Sequence, residues 1–384
     1  MTVMDKPELR GTTWAHTRAI APLVAASQWF SDTRSGPPAV WSTHCARQFG
    51  EGPLESLATD FDLVCFDHPH VGHIADSGIF LPLEEHLSGL ELAERAAAST
   101  GHSFSSYASD GHQWGVPVDA AGTMAAWNPA KLHARSLEVP DSWNALLQLA
   151  SEWPDMVVQP FSRMTTTALF FSLSVSLSNR GPQRLDSASF AESVHRLDQL
   201  YRATHGGFGF QLGSIDVLKR AMQGSDPIAL VPFAYPYSCF ARTDLLDQAL
   251  QFGPHPAMPD GSPWHGVLGG AGIAVSARSS LPKQATDLLR WLTSLECQST
   301  FFGVCMGQPA DRRAWSTPGL NHTTNDFYFK GLALLDAAWL RPTDASFHAA
   351  QSQLADVLHA YLAGVSPLAQ TRAVVARLLA RYSD

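Results

Sequence analysis

Hydrophobic and polar positions alternate with two different periods along the first part of the chain. The segment ELRGTTW (8–14) predicts a short strand, and residues 18–33 repeat their apolar positions every three or four residues, as a helix does. Apolar runs at 38–46 and 61–67 predict two more strands, with a helical stretch at 53–60 between them. Strands that alternate with helices in this way indicate right-handed βαβ units and a parallel sheet.

The middle and the end of the chain are more helical. Strands are predicted at 120–128, 227–236 and 265–280, and a strand or a crossover at 114–119. Neither an internal repeat nor a flexible linker separates these segments. Helices are predicted over 141–152, 165–178, 187–204, 214–223, 281–302 and from 330 to the end.

The composition describes an ordered globular protein with more than one core. A chain of 384 residues exceeds the size at which a single core usually keeps growing, so two domains are expected. Apolar residues make up 45% of the chain and charged residues 16%, which excludes a disordered protein. The net charge is −9, and 26 Lys and Arg are scattered among 35 acidic residues. We therefore expect no nucleic-acid partner.

The sequence contains no recognisable targeting segment and no cysteine motif. The first residues lack the basic and apolar regions of a secretory signal, and no run of about 18 apolar residues follows, so the chain as written is expected in the cytoplasm. It would be periplasmic if a leader was trimmed or the start is misassigned. Five cysteines form no CxxC pair, which predicts neither a disulfide framework nor a zinc site. GxSxG, P-loop and HExxH motifs are also missing from the sequence.

Three longer phrases resemble one known family. GVLGGAGIAVSARSSLPKQATDLLRWL begins with a Gly-rich strand entry, continues through Ser279-Ser280 and a helix, and leads to Gly307-Gln308-Pro309. WGVPVDAAGTMAAWNPAKL is similar to a lobe crossing that ends in Trp127-Asn128, and DLVCFDHPHVGHIADSGIFLPLEEHL is similar to a strand followed by a ligand loop. In these phrases, and from about Leu9 to about Leu379, the chain resembles the bacterial extracellular solute-binding proteins of the maltose-binding-protein type.

The resemblance implies an α/β, two-lobe periplasmic-binding-protein-like fold of type II, with discontinuous lobes around an interlobe cleft. The N-terminal lobe would comprise 1–120 and 264–313, and the C-terminal lobe 121–263 and 314–384. It implies a monomer that binds a small polar solute by hinge closure and serves ABC permease subunits. The abundance of aromatic residues favours a carbohydrate-like solute. A carboxylate-bearing or phosphorylated solute is the next choice. Neither a cofactor nor a metal is expected.

Candidate ligand-binding residues follow the predicted strands, because ligands of open α/β sheets sit beyond the carboxyl ends of the strands. Trp14 and His16 follow the first strand and precede a helix whose N-terminus is suited to an anion or a hydroxyl; a packed Trp with a surface His is the alternative. Asp67, His68 and His70 end a buried strand. They offer metal ligands or an acid/base pair, but hydrogen bonding to a polar ligand is the commoner use of such side chains.

The remaining candidates come from the later segments. Asp119 interrupts an apolar stretch and needs a partner or a ligand, although a hinge residue bonded to backbone is the alternative. Tyr235 and Tyr237 share one face of an extended segment and are suited to stacking on a sugar ring; as phenolates they could instead hold ferric iron, but no acid cluster accompanies them. Arg341 is suited to clamp a carboxylate or phosphate, or is a solvated helix-end charge. Trp264 would add stacking area, and the glycines after it would admit backbone close to a ligand: Gly269 and Gly270.

A second class of function remains open at this point. The same scaffold could be a cytoplasmic lyase or hydrolase that uses Asp67 with His68 or His70 as acid and base. A cytosolic sensor that passes a ligand-dependent conformation to a partner protein is a third possibility. Fold resemblance alone does not decide among them.

Overall fold

The computed structural model describes residues 7–45, 49–50, 52–181, 183–206 and 208–383. The chain forms two compact units. Unit 1 comprises Met1–Ala120, Gly269–Leu320 and Thr343–Ala345, and unit 2 comprises Ala121–Leu268, Asn321–Pro342 and Ser346–Asp384. Each unit is therefore assembled from segments that are distant in the sequence.

The described strands form two sheets and one short hairpin. They are β1 (Leu9–Trp14), β2 (Ala39–His44), β3 (Leu63–Phe66), β4 (Ala108–Ser109), β5 (His112–Gln113), β6 (Val116–Gly122), β7 (Met124–Trp127), β8 (Leu230–Ala234), β9 (Gln251–Gly253) and β10 (Leu268–Val275).

The described α-helices follow in chain order. They are α1 (Thr17–Arg34), α2 (Glu55–Asp60), α3 (Val71–Ser77), α4 (Gly89–Ala98), α5 (Pro129–His133), α6 (Trp143–Glu152), α7 (Arg163–Ser176), α8 (Ser187–Ala203), α9 (Ser214–Ala221), α10 (Pro282–Leu292), α11 (Leu295–Cys297), α12 (Arg312–Trp315), α13 (Pro318–His322), α14 (Phe327–Asp336), α15 (Ala345–Leu362) and α16 (Leu368–Leu379). Among the helices that the structure describes, none combines the length and apolar character needed to cross a bilayer.

The sheet of unit 1 has the strand order β2-β1-β3-β10-β6. β1 runs parallel to both β2 and β3, which confirms the prediction of parallel βαβ units for the opening of the chain. β10 is antiparallel to β3, with Gly272 opposite Phe66. The amino end of β10 therefore lies at the same sheet edge as the carboxyl ends of β1 and β3.

The core of unit 1 packs this sheet against α1 and α10. Apolar side chains of β1, β3 and β10 are buried together with Leu23, Leu289 and Trp291. Trp291 also stacks on Trp29 with ring centroids 4.4 Å apart. Burial of such aromatic and aliphatic side chains is the main favourable contribution to the free energy of folding.

A second close packing in unit 1 involves Gly72, near the start of α3. A Cβ atom at Gly72 would lie 2.0 Å from the carbonyl oxygen of Thr343, so only glycine fits there. Thr343–Ala345, although it stands far along the chain, therefore belongs to unit 1.

The sheet of unit 2 has the order β8-β7-β9, and β7 is antiparallel to both neighbours. The strand predicted at 120–128 is in fact divided: β6 ends at Gly122, and β7 begins at Met124 in another sheet. β9 was not predicted, because its three residues are too few for a periodic pattern. The helix predicted at 281–302 is likewise broken after α10 and α11, and continues as a π-helix over Gln298–Phe302.

The core of unit 2 surrounds a buried imidazole. His255 stacks on Phe233 and packs against Trp264, with ring centroids 5.0 and 4.9 Å away. Its Nδ1 lies 2.9 Å from the carbonyl oxygen of Pro232, and its Nε2 lies 3.3 Å from the hydroxyl of Thr123. Burial lowers the pKa of His255 to about 4.

Acid is expected to destabilise the protein through His255. Because the folded pKa is below the value of 6.5 in the unfolded chain, the neutral ring stabilises the fold above pH 6.5. This contribution is lost as the pH falls from 6.5 towards 4, and about 2.5 kcal/mol of it is lost by pH 4.5. Urea unfolding of the wild type and His255→Gln at pH 7 and pH 4.5 measures it. We expect the pH-dependent loss to shrink by that amount in the variant; equal losses in both proteins would contradict the assignment.

Candidate functional site

The carboxyl ends of β1 and β3 bring several predicted residues to one edge of unit 1. Trp14 ends β1, and His16 is the N-cap of α1. Asp67 directly follows β3. Gly270 lies near the amino end of β10, and a Cβ atom placed on it would be only 2.4 Å from the carbonyl oxygen of Asp119 on β6. Open α/β sheets bind ligands at the end of the sheet beyond the carboxyl ends of the strands. In unit 1 this end is surrounded by residues 14–16, 67, 119 and 270.

Asp67 caps a single turn of 3-10 helix that contains both histidines of the DHPH motif. One carboxylate oxygen, Oδ1, accepts the backbone N–H of His68 at 2.9 Å and lies 3.2 Å from Nδ1 of the same residue. Pro69 stands at the start of this turn, where its ring favours the required backbone conformation. Asp67, His68 and His70 are all buried. The predicted side chains therefore lie together, and Asp67 and His68 form a pair.

Asp119 finds its partner in Arg18, a residue that was not among the sequence-based candidates. The guanidinium of Arg18 donates from Nε to Oδ2 at 2.9 Å and from Nη2 to Oδ1 at 2.5 Å. The two side chains are only 4% and 3% exposed. Burial raises the pKa of Asp119, and the charge and hydrogen bonds of Arg18 act in the opposite direction. A two-point contact with a permanently charged guanidinium keeps this carboxylate ionised at neutral pH.

The sequence did contain a signal for Arg18. The buried face of α1 includes Arg18, Pro22 and Ala26, which recur every four residues. A charged side chain on the buried stripe of a helix requires a counter-charge, because an unpaired buried ion is costly. Pairing this position with the isolated carboxylate of Asp119 would have predicted the contact.

Tyr107 is a second residue that sequence reasoning missed. Its ring lies edge-on to His68, with centroids 6.3 Å apart, and also edge-on to Phe66. A Cβ atom at Gly272 would be 2.4 Å from this ring, so the glycine makes room for the tyrosine. No local pattern indicated this role, because the contacts come from segments far apart in the sequence.

Both predicted tryptophans are core residues. Trp14 is 6% exposed and packs against Phe49, with ring centroids 4.7 Å apart. Trp264 is 4% exposed, stacks on Phe233 and donates its indole N–H to Ser172 at 2.7 Å. For Trp14 the packed alternative therefore describes the environment found. A ligand contact by either tryptophan stays a prediction.

The other candidates are distributed over both units. Tyr235 and Tyr237 are half-buried in unit 2, and the backbone N–H of Tyr235 donates to Ser214 at 3.1 Å. Arg341, also in unit 2, is 4% exposed, so the alternative of a solvated helix-end charge is wrong. Gly269 is a buried residue of β10. Their roles as ligand contacts stay predictions.

Metal ligation is not supported by the arrangement of side chains. Within the described part of the chain, no group of three or more His, Cys, Asp or Glu side chains is placed to hold a metal ion. Asp67 and the two histidines beside it therefore do not form such a group.

The sequence and the fold can be compared with those of known proteins. A family model described as a bacterial extracellular solute-binding protein matches residues 54–309, more than half of the chain. The chain belongs to this family. Comparison with curated proteins gives no match.

Solved structures show the same two-lobe periplasmic-binding-protein fold as this solute-binding protein. The maltose-bound MalE3 of T. maritima has a TM-score of 0.80 at 16% identity, covering 97% of this chain and 99% of that one. A solute-binding protein from Thermotoga lettingae with α-D-tagatose has a TM-score of 0.80 at 16% identity, with coverages of 98% and 99%. A ribitol complex from Agrobacterium radiobacter K84 reaches 0.73 at 16% identity, with coverages of 99% and 98%. The α/β, two-lobe fold predicted from the sequence is confirmed.

Proposed function

We propose that this solute-binding protein binds a carbohydrate-like solute, a sugar or a polyol, and delivers it to an ABC permease. The observation that carries the proposal is the strand edge of unit 1, where Arg18 follows β1, Asp67 follows β3 and Asp119 stands on β6, each held by hydrogen bonds. Such a rigid set of charged donors and acceptors suits a ligand with many hydroxyl groups. Maltose, tagatose and ribitol in the structures of similar fold support the same ligand class.

The hydrogen bonds of Asp67 favour reversible binding over catalysis. Its Oδ1 already accepts a backbone N–H and faces the adjacent ring of His68, which is what a helix cap does. A general base needs instead to reach a proton of the substrate. The use of Asp67 with His68 or His70 as acid and base has only their proximity in its favour.

A ligand screen tests this function. We expect one or more neutral sugars or polyols to raise the Tm by several degrees at about 100 times their Kd, because ligand that binds only the folded state stabilises it by about 2.7 kcal/mol at that ratio. Differential scanning fluorimetry gives the shift, and mass spectrometry of each ligand after incubation should show no conversion. A product that the wild type forms and that His68→Ala or His70→Ala does not form would show that the protein is an enzyme and would contradict the proposed transport function.

The delivery step has its own measurement. Cell fractionation is expected to find the native protein outside the cytoplasmic membrane, in agreement with the extracellular family. The predicted monomer and the predicted closing of the lobes on the ligand stay predictions. Small-angle scattering with and without a ligand from the screen reports the molecular mass and any decrease in the radius of gyration.

A further inference from the structure

Two of the places where the chain passes from one unit to the other lie beside a buried chain of hydrogen bonds in unit 2. The first segment of unit 2 runs from Ala121 to Leu268, and Thr123 and Val267 stand near its two ends. The N–H of Thr123 donates to the carbonyl oxygen of Val267 at 3.2 Å, and the N–H of Val267 donates to the hydroxyl of Thr123 at 3.1 Å. The two ends of this segment are therefore bonded to each other.

His255 completes this chain of hydrogen bonds. A carbonyl oxygen can only accept, so the proton of the neutral ring lies on Nδ1, which donates to Pro232 at 2.9 Å. Nε2 then carries no proton and accepts the hydroxyl proton of Thr123, whose oxygen lies 3.3 Å away. Thr123, His255 and Val267 are all buried. These hydrogen bonds are therefore complete only while the ring is neutral.

Protonation of the ring breaks this arrangement. A proton on Nε2 turns the nitrogen from an acceptor into a donor, so the hydroxyl of Thr123 loses the group to which it donates. The charge would also be buried. Burial lowers the pKa of His255, while the hydrogen bonds to Pro232 and Thr123 act in the opposite direction. An opening that exposes the ring to water removes both costs.

The charged groups around the ring do not supply a counter-charge. β8, on which the ring stacks, and the adjacent β7 carry no titratable side chain. Asp260 and His265 stand on the same stretch of chain as His255, the first exposed and the second half-buried. α7, which packs against Trp264, begins with Arg163. Among the described residues, only burial and the two hydrogen bonds shift the pKa of His255.

The part of the chain that carries His255 is suited to open locally. Residues 254–267, the connecting segment, join β9 to β10, and the structure describes neither a helix nor a strand within them. Segments of this kind open at a lower free energy than the core of a domain. α7, in contrast, is a helix of 14 residues with a mostly buried surface. A buried charge on the connecting segment therefore favours local opening over global unfolding.

We infer that Thr123, His255 and Val267 form an acid-sensitive clasp, which holds the two ends of the first unit 2 segment together while the ring is neutral and opens locally when the ring is protonated. The inference goes beyond the proposed function and does not depend on the nature of the ligand. Because the clasp lies where the chain passes between the units, it gives the protein a response to acid that precedes global unfolding.

Hydrogen exchange of the intact protein, measured by mass spectrometry, tests the clasp without a ligand. Protection factors, corrected for the intrinsic effect of pH, are compared between about pH 7.5 and about pH 4.5. We expect residues 121–127 and 254–268 to lose about 50- to 100-fold in protection, as the shift of the pKa of His255 from 6.5 to about 4 implies. Dilute urea should hardly change their exchange but should accelerate that of α7, because local opening exposes little surface.

His255→Gln and His265→Gln are the matched pair of variants. The amide of His255→Gln offers a donor and an acceptor but takes up no proton, so the loss of protection in acid should fall below about threefold. Burial also lowers the pKa of His265, which stands on the connecting segment outside the clasp, and His265→Gln is expected to keep the full loss. Equal losses in the wild type and His255→Gln, or clasp segments that respond to urea as steeply as α7, would overturn the inference.

Thr123→Val and Thr123→Ser carry the test if His255→Gln does not fold. Thr123→Val removes the hydroxyl that joins Val267 to His255, so residues 254–268 should exchange about tenfold faster already at neutral pH. Thr123→Ser keeps a hydroxyl and is expected to exchange like the wild type. Equal exchange in all three proteins would show that the clasp does not hold these segments and would refute the inference.

Discussion

Replacing Arg18 by Met is expected to lower the free energy of unfolding by about 3–5 kcal/mol, because it leaves the carboxylate of Asp119 buried without its partner. Both side chains are almost completely buried, so water cannot take over the role of the guanidinium. Urea unfolding followed by circular dichroism measures the loss. The double variant Arg18→Met/Asp119→Leu is expected to recover much of it, since replacing both members of a buried ion pair by apolar side chains is often neutral.

Lys283→Met is the control for this prediction. Lys283 also pairs with an aspartate in unit 1, Asp287, but the two side chains are 85% and 35% exposed. Its loss should cost less than about 1 kcal/mol, as for other solvent-exposed ion pairs. Equal effects of Arg18→Met and Lys283→Met would show that the buried pair contributes no more than a surface contact.

Replacing Gly270 by Ala is expected to cost about 3 kcal/mol or more. Gly270 has a φ of +124°, which side-chain-bearing residues rarely adopt, and a Cβ atom would lie 2.4 Å from the backbone oxygen of Asp119. Backbone strain contributes about 1–3 kcal/mol and crowding a similar amount. Because the obstacle is backbone, β6 itself would have to move, and ligand affinity is expected to fall together with stability.

Gly111→Ala separates the cost of backbone strain from the cost of crowding. Gly111 also has a positive φ, +83°, but nothing lies within 4 Å of the position of its Cβ. We expect it to cost about 1–2 kcal/mol and to leave ligand binding unchanged. Urea unfolding measures the stability of both variants, and calorimetry measures their ligand affinity. A Gly270→Ala protein as stable as Gly111→Ala would show that the close approach of β6 to Gly270 adds no cost.

The DHPH motif illustrates how much of the site could be predicted. An apolar run that ends in polar residues marks the carboxyl end of a buried strand, and β3 does end at Phe66, directly before Asp67. The pattern could not show that Asp67 caps the next turn, because that depends on the backbone conformation of His68 to His70. Nor could it show the ring of Tyr107 beside His68.

The tryptophans illustrate the opposite case. Aromatic residues near strand ends are suited both to contact a ligand and to pack in a core, and nothing in the sequence distinguishes these two roles. Only the packing showed that Trp264 lies between buried rings in unit 2 and that Trp14 contacts Phe49.

The sequence by itself determined most of the longer elements and the α/β class, because hydrophobic periodicity and turn residues act over a few neighbours. Three of its phrases also carried the family resemblance. Tertiary structure alone decided that β10 joins β3 in antiparallel orientation and that Arg18 meets Asp119, 101 positions later in the chain. Such contacts depend on which distant segments share a sheet edge.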